Sequence, residues 1–230
     1  MPVNMLFLVL VAALGYLWGS IPAGYWMGKL LRGRDFDIRD YGSHKMGATN
    51  VLRTLGKWPA AIVLCFDLSK GLLPTLPGFL VPALFLNGWG SAVAGLAALL
   101  GHCFPVFIGF KGGRGVMTGA GVILLLSPLT FGLSALTAGG TIAVSRYVSL
   151  GSIVGALTSL CCGVLWFVLG QLNPHFFASV SLPTLLYLVI GPVLIILFHA
   201  DNIKRLLAGN ESKIGQRVQL DNSETTSARA

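Results

Sequence analysis

The feature that most constrains this chain is the recurrence of predominantly apolar runs long enough to cross a bilayer: 3–31, 59–78, 88–107, 151–170 and 182–199. A hydrocarbon layer about 30 Å thick takes about 20 helical residues to cross. With no water inside that layer, each backbone N–H and C=O must be satisfied within the segment, so such runs fold as helices. A further apolar stretch, 116–144, is interrupted by Ser127-Pro128. It is too long for one span and rather short for two, and is read as two short helices. The expected fold is an all-α integral membrane protein of seven transmembrane helices, some of them short or broken. Only 10% of the residues are charged, which excludes an ordinary soluble globule, where the fraction is about 25%.

Basic residues are retained on the cytoplasmic side of a membrane, and here they are one-sided. With the N-terminus outside and the C-terminus cytoplasmic, every Lys and Arg falls on an internal segment except Lys70, which lies within a span. The net charge of +8 is thus a topology signal, and nucleic acid is not an expected partner. The first apolar run has no basic segment ahead of it, Lys29 being the first cation, and reads as an uncleaved anchor rather than a signal peptide. The membrane-embedded domain is assigned to 1–207, with a polar cytoplasmic insert at 32–58. Residues 208–230 are expected to form a polar, largely disordered tail with no assigned function. The four cysteines lie in or beside apolar runs without Cys-x-x-Cys spacing, so neither disulfide nor zinc is expected. Neighbouring positions on a helix point about 100° apart, which argues against a His102-Cys103 nucleophile and base pair.

Four polar clusters fall at the cytoplasmic ends of the spans, far apart in sequence yet at one membrane level. The first, 41–53, places Thr49 and Arg53 at i,i+4, so on a short helix a hydroxyl and a guanidinium share a face and can hold one anion. The second, 101–115, carries Lys111 and Arg114 among glycines ahead of an apolar run, so that amide groups and a helix N-terminus can approach a phosphate. A flexible positive-inside anchor is the plain alternative for that loop. The third is Ser145-Arg146-Tyr147-Val148-Ser149, and the fourth begins at His199, with Asn202 at i,i+3. Asp67 and Lys70, also at i,i+3, lie deeper, where charges are costly unless they pair or face a wet cavity, and mutual pairing is expected. Phosphate loops of the Gly-x-x-x-x-Gly-Lys-Ser/Thr type, His-Glu-x-x-His zinc motifs and Gly-x-Ser-x-Gly elbows do not occur in the sequence, nor does any His-x-x-x-x-Asp pair. These residues describe a cytoplasmic site of cations, amides and hydroxyls opening into lipid, suited to a phosphorylated substrate with an acyl chain.

At these clusters the chain resembles the bacterial acyl-phosphate-dependent glycerol-3-phosphate acyltransferases. The resemblance rests on Gly19-Ser20-Ile21-Pro22-Ala23-Gly24-Tyr25, Gly47-Ala48-Thr49-Asn50-Val51-Leu52-Arg53, Asp67-Leu68-Ser69-Lys70-Gly71, the 101–115 loop, Arg146-Tyr147-Val148-Ser149-Leu150 and Asp201-Asn202-Ile203-Lys204-Arg205, ending in Asn210-Glu211-Ser212-Lys213. It implies a seven-helix enzyme of the bacterial inner membrane that moves an acyl group from acyl phosphate to the sn-1 hydroxyl of glycerol 3-phosphate, without cofactor or metal, as a monomer. Ser43, Thr49, Arg53, Lys111, Ser149, His199 and Asn202 would form the site, with Gly112 and Gly113 adding amide donors. Catalytic roles would fall to His199, Asn202 and Lys111, with His199 either orienting glycerol phosphate or acting as general base. The sequence departs from the family pattern at His44-Lys45, where Gly-Asn is usual, and at Arg114, where lysine is commoner. A small anion or lipid transporter with a cytoplasmic phosphate gate is the competing reading.

Overall fold

The structure is a computed structural model that describes residues 2–81 and 86–216. Among the described residues it is entirely helical. In chain order the α-helices are α1 (Pro2–Gly19), α2 (Ala23–Arg32), α3 (Ala48–Thr54), α4 (Lys57–Leu80), α5 (Trp89–Cys103), α6 (Val116–Leu126), α7 (Pro128–Ser145), α8 (Val148–Leu172), α9 (Leu182–Phe198) and α10 (Ala200–Leu207). Five segments are long and apolar enough to cross a membrane: Met5–Arg32, Lys57–Leu80, Leu86–Ile108, Pro128–Ser145 and Val148–Leu172. The pair α9 and α10, bent by 55°, makes a sixth.

The break at Ser127 falls where the sequence placed it, yet the two helices are unequal. Pro128 opens α7, which at 18 residues can cross, whereas α6 has only 11 residues. At 1.5 Å per residue α6 is about 17 Å long, and it packs against α4, α5 and α9 inside the bundle. The first run is also broken: α1 ends at Gly19, and α2 restarts after Pro22, whose ring supplies no N–H.

The size distribution of side chains is inverted relative to a soluble protein. Large apolar groups face outward, with Leu6 72% and Val144 89% exposed, while helix contacts are made through small residues. Cβ atoms at Gly15 and Gly19 of α1 would overlap the backbone of α5, and one at Gly101 would overlap that of α1. Gly71 and Gly121 make the same kind of seam between α4 and α6. This is how helices associate where the solvent is itself apolar: close backbone approach replaces the hydrophobic drive.

The expected Asp67–Lys70 pair is present, with Lys70 Nζ 2.6 Å from Asp67 Oδ1 and both side chains buried. His102 of α5 joins it, its Nδ1 being 3.4 Å from Lys70 Nζ and 3.5 Å from Asp67 Oδ1. Thr118 of α6 donates to the Asp67 carbonyl at 3.0 Å. One charge pair on α4 therefore ties that helix to α5 and α6, the two helices that carry the glycine loop.

Breaking a buried pair leaves an uncompensated charge and costs about 3–5 kcal/mol, whereas apolar replacement of both partners is often nearly neutral. Lys70→Met should therefore destabilise the purified protein by that amount in thermal or denaturant unfolding. Asp67→Leu combined with Lys70→Met should recover most of the loss. A single variant as stable as the wild type would refute the pairing energy.

Candidate active site

The polar insert is organised by one buried amide. Asn50, in the first turn of α3, donates through Nδ2 to the carbonyls of Ile38, Tyr41 and Lys45 at 3.0, 3.0 and 2.8 Å, and accepts the Ser43 N–H at Oδ1. Ile38, Met46 and Val51 pack beneath it against Ala60 and Val63 of α4. His44, the residue that departs from the family pattern, sits at φ 55°, a left-handed conformation that glycine adopts freely. Its Nδ1 donates to the Arg39 carbonyl at 2.9 Å, which offsets part of that strain. Arg39 forms a bidentate pair with Asp37 and also donates to the carbonyls of Ile108 and Lys111, fastening the insert to the glycine loop.

The glycine loop leaves α5 at Cys103 and reaches α6 through Gly115, whose φ of 80° turns the chain into the helix. Gly112 donates its N–H to the Cys103 carbonyl and Gly113 to the His102 carbonyl, each at 3.1 Å. This corrects the expectation that these two amides are free for a ligand: both are already bonded to the end of α5. Their glycine character serves proximity instead, since a Cβ at Gly112 would overlap the His102 carbonyl and one at Gly113 the His102 ring. Lys111 remains exposed at the rim.

Lys111, Gly112 and Gly113 line a cavity of about 590 Å³ together with Arg39, His44 and Lys45. Cys103, Phe104, Phe110, Leu197, Phe198 and Ala200 form its apolar wall, and the carboxylates of Asp37, Asp40 and Asp201 complete the lining. The lining is amphiphilic, combining cations and carboxylates with phenyl rings. Phe107 and Phe110 of the loop are more than half exposed, as suits residues at a lipid boundary.

Ser149, Asn202 and Arg53 converge elsewhere, on the segment after α10. Glu211, buried, accepts from Ser149 Oγ at 2.9 Å, Asn202 Nδ2 at 2.7 Å and Arg205 Nε at 2.7 Å. Arg53 donates to the Ser212 carbonyl at 3.1 Å, and Ile214 exchanges hydrogen bonds with Arg146. Burial pushes the Glu211 carboxyl up, but the hydrogen bonds from Arg205, Asn202 and Ser149 outweigh it and hold the group below the usual carboxylate range. Burial lowers the Arg53 guanidinium, with Glu211 opposing and Arg205 adding to the effect.

His199 stands at the 55° bend between α9 and α10, only 2% exposed, with Nδ1 2.8 Å from the Ile195 carbonyl. That contact makes Nδ1 the protonated nitrogen of the neutral ring. Thr49 and Arg53 share the short helix α3 as their spacing indicated. The sequence-derived set is thus divided: Lys111, Gly112 and Gly113 line the cavity, while Arg53, Ser149 and Asn202 lie along the 209–216 segment. Ser43 is fixed in the insert by Asn50.

The expected tail is altered in the same way. Residues 209–216 fold back as a strap held by Glu211, Ser212 and Ile214; the remainder of that expectation, 217–230, lies outside the described residues. Sequence reasoning quoted Glu211 within a motif but gave it no role. Its position ahead of Ser212-Lys213, after a basic helix, was the available signal. No group of three or more His, Cys, Asp or Glu suited to a metal ion occurs among the described residues.

The glycerol-3-phosphate acyltransferase family model matches residues 9–209. A glycerol-3-phosphate acyltransferase of Thermoanaerobacter sp. (strain X514) is 43% identical over 94% of this chain and 100% of its own length. One of Symbiobacterium thermophilum is 42% identical over 92% of this chain and 97% of its own. Among solved structures, the glycerol 3-phosphate form of PlsY (YgiH), an integral membrane glycerol 3-phosphate acyltransferase, is 36% identical, with a TM-score of 0.78 over 90% of this chain and 96% of that one. Its lysophosphatidic acid form gives a TM-score of 0.75. The match runs through the helices, the insert, the glycine loop and α10 alike, and the chain belongs to the glycerol-3-phosphate acyltransferase family.

Proposed function

We propose that this protein transfers a fatty acyl group from acyl phosphate to the sn-1 hydroxyl of glycerol 3-phosphate, giving lysophosphatidate and phosphate. It works at the cytoplasmic face of the bacterial inner membrane, in a seven-span topology with the N-terminus outside and the C-terminus cytoplasmic. The observation that carries the reading is the amphiphilic cavity, whose lining combines Lys45 and Lys111 with Phe104, Phe110 and Phe198. An acyl phosphate has the same two-sided chemistry. Binding of glycerol 3-phosphate and lysophosphatidic acid by the solved relative supports the same substrate and product here.

Acyl phosphate is a mixed anhydride, so its carbonyl is already activated. The glycerol hydroxyl oxygen attacks that carbonyl, the bond between the acyl carbon and the phosphate oxygen breaks, and phosphate leaves carrying the hydroxyl proton. No protein nucleophile is needed in this scheme. The work of the residues is to bring the two phosphates together against their repulsion and to stabilise charge as it moves to the leaving group. Lys111 in the cavity lining and Arg53 at the strap supply positive charge. His199 and Asn202, rigidly held at the bend, orient the glycerol hydroxyl, and Ser149 positions the strap through Glu211.

Three measurements test this. Lys111→Ala and Arg53→Ala should each lower kcat/KM by about 10²-fold or more, the scale of one lost charge-stabilising donor, with folded protein retained; near-normal turnover in either would sink the assignment. For His199, the pH–rate profile decides between orientation and general-base roles. His199→Ala should lower activity but keep the shape of the wild-type profile, and loss of the acid limb of that profile would instead make it the base. In liposomes, labelled glycerol 3-phosphate should be incorporated into lipid only when acyl phosphate is supplied, not with acyl-CoA or acyl carrier protein donors. Uptake of unmodified label would identify a transporter.

A further inference from the structure

Three carboxylates line a cavity that takes a phosphate in the scheme above, and attraction for that phosphate cannot explain them. Asp37 is accounted for, because it is held in the bidentate pair with Arg39. Setting that neutral pair aside leaves Lys45 and Lys111 in the same lining as Asp40 and Asp201. Cations and carboxylates therefore balance, where attraction for an anion calls for an excess of cations. Neither the Asp40 nor the Asp201 side chain makes a hydrogen bond or ion pair among the described residues. Asp201, in the first turn of α10, complements the helix dipole. Asp40 ends a single 3-10 turn, Ile38–Asp40, too short to present one.

Exposure sorts these groups. Asp40, Asp201 and Lys111 are exposed, so they stand where the cavity opens to water, whereas Lys45 is half-buried. Asn50 holds the Lys45 carbonyl, and the field of the Lys45 ammonium reaches the buried thiol of Cys103 at the end of α5. An acyl phosphate carries its charge next to the reacting carbonyl, so its charged group enters the cavity with the head of the acyl chain. A coenzyme A thioester has the opposite layout, with an uncharged thioester at the carbonyl and several phosphates at the far end of a long pantetheine arm. A cavity of about 590 Å³ is filled by a ligand of drug size. The nucleotide of such a donor, with its phosphates, is therefore left at the opening, where Asp40 and Asp201 stand.

We propose that Asp40 and Asp201 determine donor specificity, as carboxylates at the cavity opening that repel coenzyme A thioesters while admitting acyl phosphate. The inference rests on the donor reading of the preceding subsection and adds the residues that enforce it. Two effects combine against the thioester: its phosphates meet like charge at the opening, and its uncharged head leaves Lys45 without an anion. Like charges so juxtaposed suppress a wrong partner. A group that gives up some affinity for the right ligand in order to reject another is a general means of discrimination. Because the selection is electrostatic it depends on salt. The Debye length is about 30 Å at about 0.01 M and about 8 Å at about 0.15 M, so both carboxylates act on the nucleotide most strongly in dilute buffer.

The experiment compares wild type, Asp40→Asn, Asp201→Asn and the double variant as full-length protein in nanodiscs of zwitterionic lipid. Asp35→Asn is the control, since Asp35 is exposed on the same insert but outside the cavity lining. Two inert probes of equal chain length are bound at equilibrium, an acyl phosphonate and a coenzyme A thioether, with binding to empty nanodiscs subtracted. Wild type should prefer the phosphonate. In dilute buffer each single variant should bind the thioether about threefold more tightly than wild type, and the double variant about tenfold. The phosphonate should gain no more than about twofold. At about 0.3 M salt the thioether gain of the double variant should shrink to about threefold or less. Asp35→Asn should keep the wild-type preference, and either single variant gives the reading should the other not fold. A preference unchanged in the variants, equal gains for both probes, or the same shift in Asp35→Asn would overturn the role of these carboxylates and leave the donor reading standing. Wild type without a preference for the phosphonate would overturn the donor reading, and this inference with it.

Discussion

An ammonium and a carboxylate one helical turn apart, with neither in contact with water, can persist in a bilayer only by neutralising each other. Asp67 and Lys70 do so at 2.6 Å, and the arrangement around them follows from that requirement. Burial draws in His102 from α5 and the Thr118 hydroxyl from α6. The carbonyl of His102 in turn receives Gly113, and its ring occupies the space that a side chain at Gly113 would need. The charged pair is thus the floor on which the glycine loop rests. The loop has the shape it has because α5 and α6 are pinned to one point of α4.

Above that floor the site is assembled from pieces that do not form it alone. The insert is a loop stabilised mainly by Asn50 and joined to the glycine loop by Arg39. The helix bend at His199 redirects the chain so that Asn202 faces inward, and the strap brings a carboxylate to a place otherwise crowded with guanidiniums. Each piece supplies what another lacks: hydrogen-bond acceptors for Arg39, counter-charge for Arg205 and Arg53. Positive charge still exceeds negative around Glu211, as an anion-binding region requires.

Much of this was legible in the sequence. Apolar runs gave the helices, Ser127-Pro128 gave the break, and the spacing of Asp67 and Lys70 gave their pairing, because each is a local property governed by a period or a backbone restriction. The state of the Gly112 and Gly113 amides was not legible. Glycine signals that the backbone comes close to something, and here that partner is the end of α5, which only tertiary structure brings near. Glu211 was hidden for the opposite reason. It sits in a polar stretch whose composition resembles disorder, and its order comes from Ser149 and Arg205, 62 and 6 residues away. The unequal lengths of α6 and α7 reflect packing, since a helix enclosed by α4, α5 and α9 has no need to reach across the lipid.

The strap has a consequence for the order in which the molecule comes into being. Its residues follow every apolar helix in the chain, so they leave the ribosome after the spans have been made. Until the strap arrives, Arg205, Ser149 and Asn202 stand without the Glu211 carboxylate and Arg53 without the Ser212 carbonyl. Arg53 and Arg205 are therefore without their strap partners while the spans enter the membrane, the stage at which basic residues direct orientation. The same charges gain their hydrogen-bond acceptors only once the strap is in place.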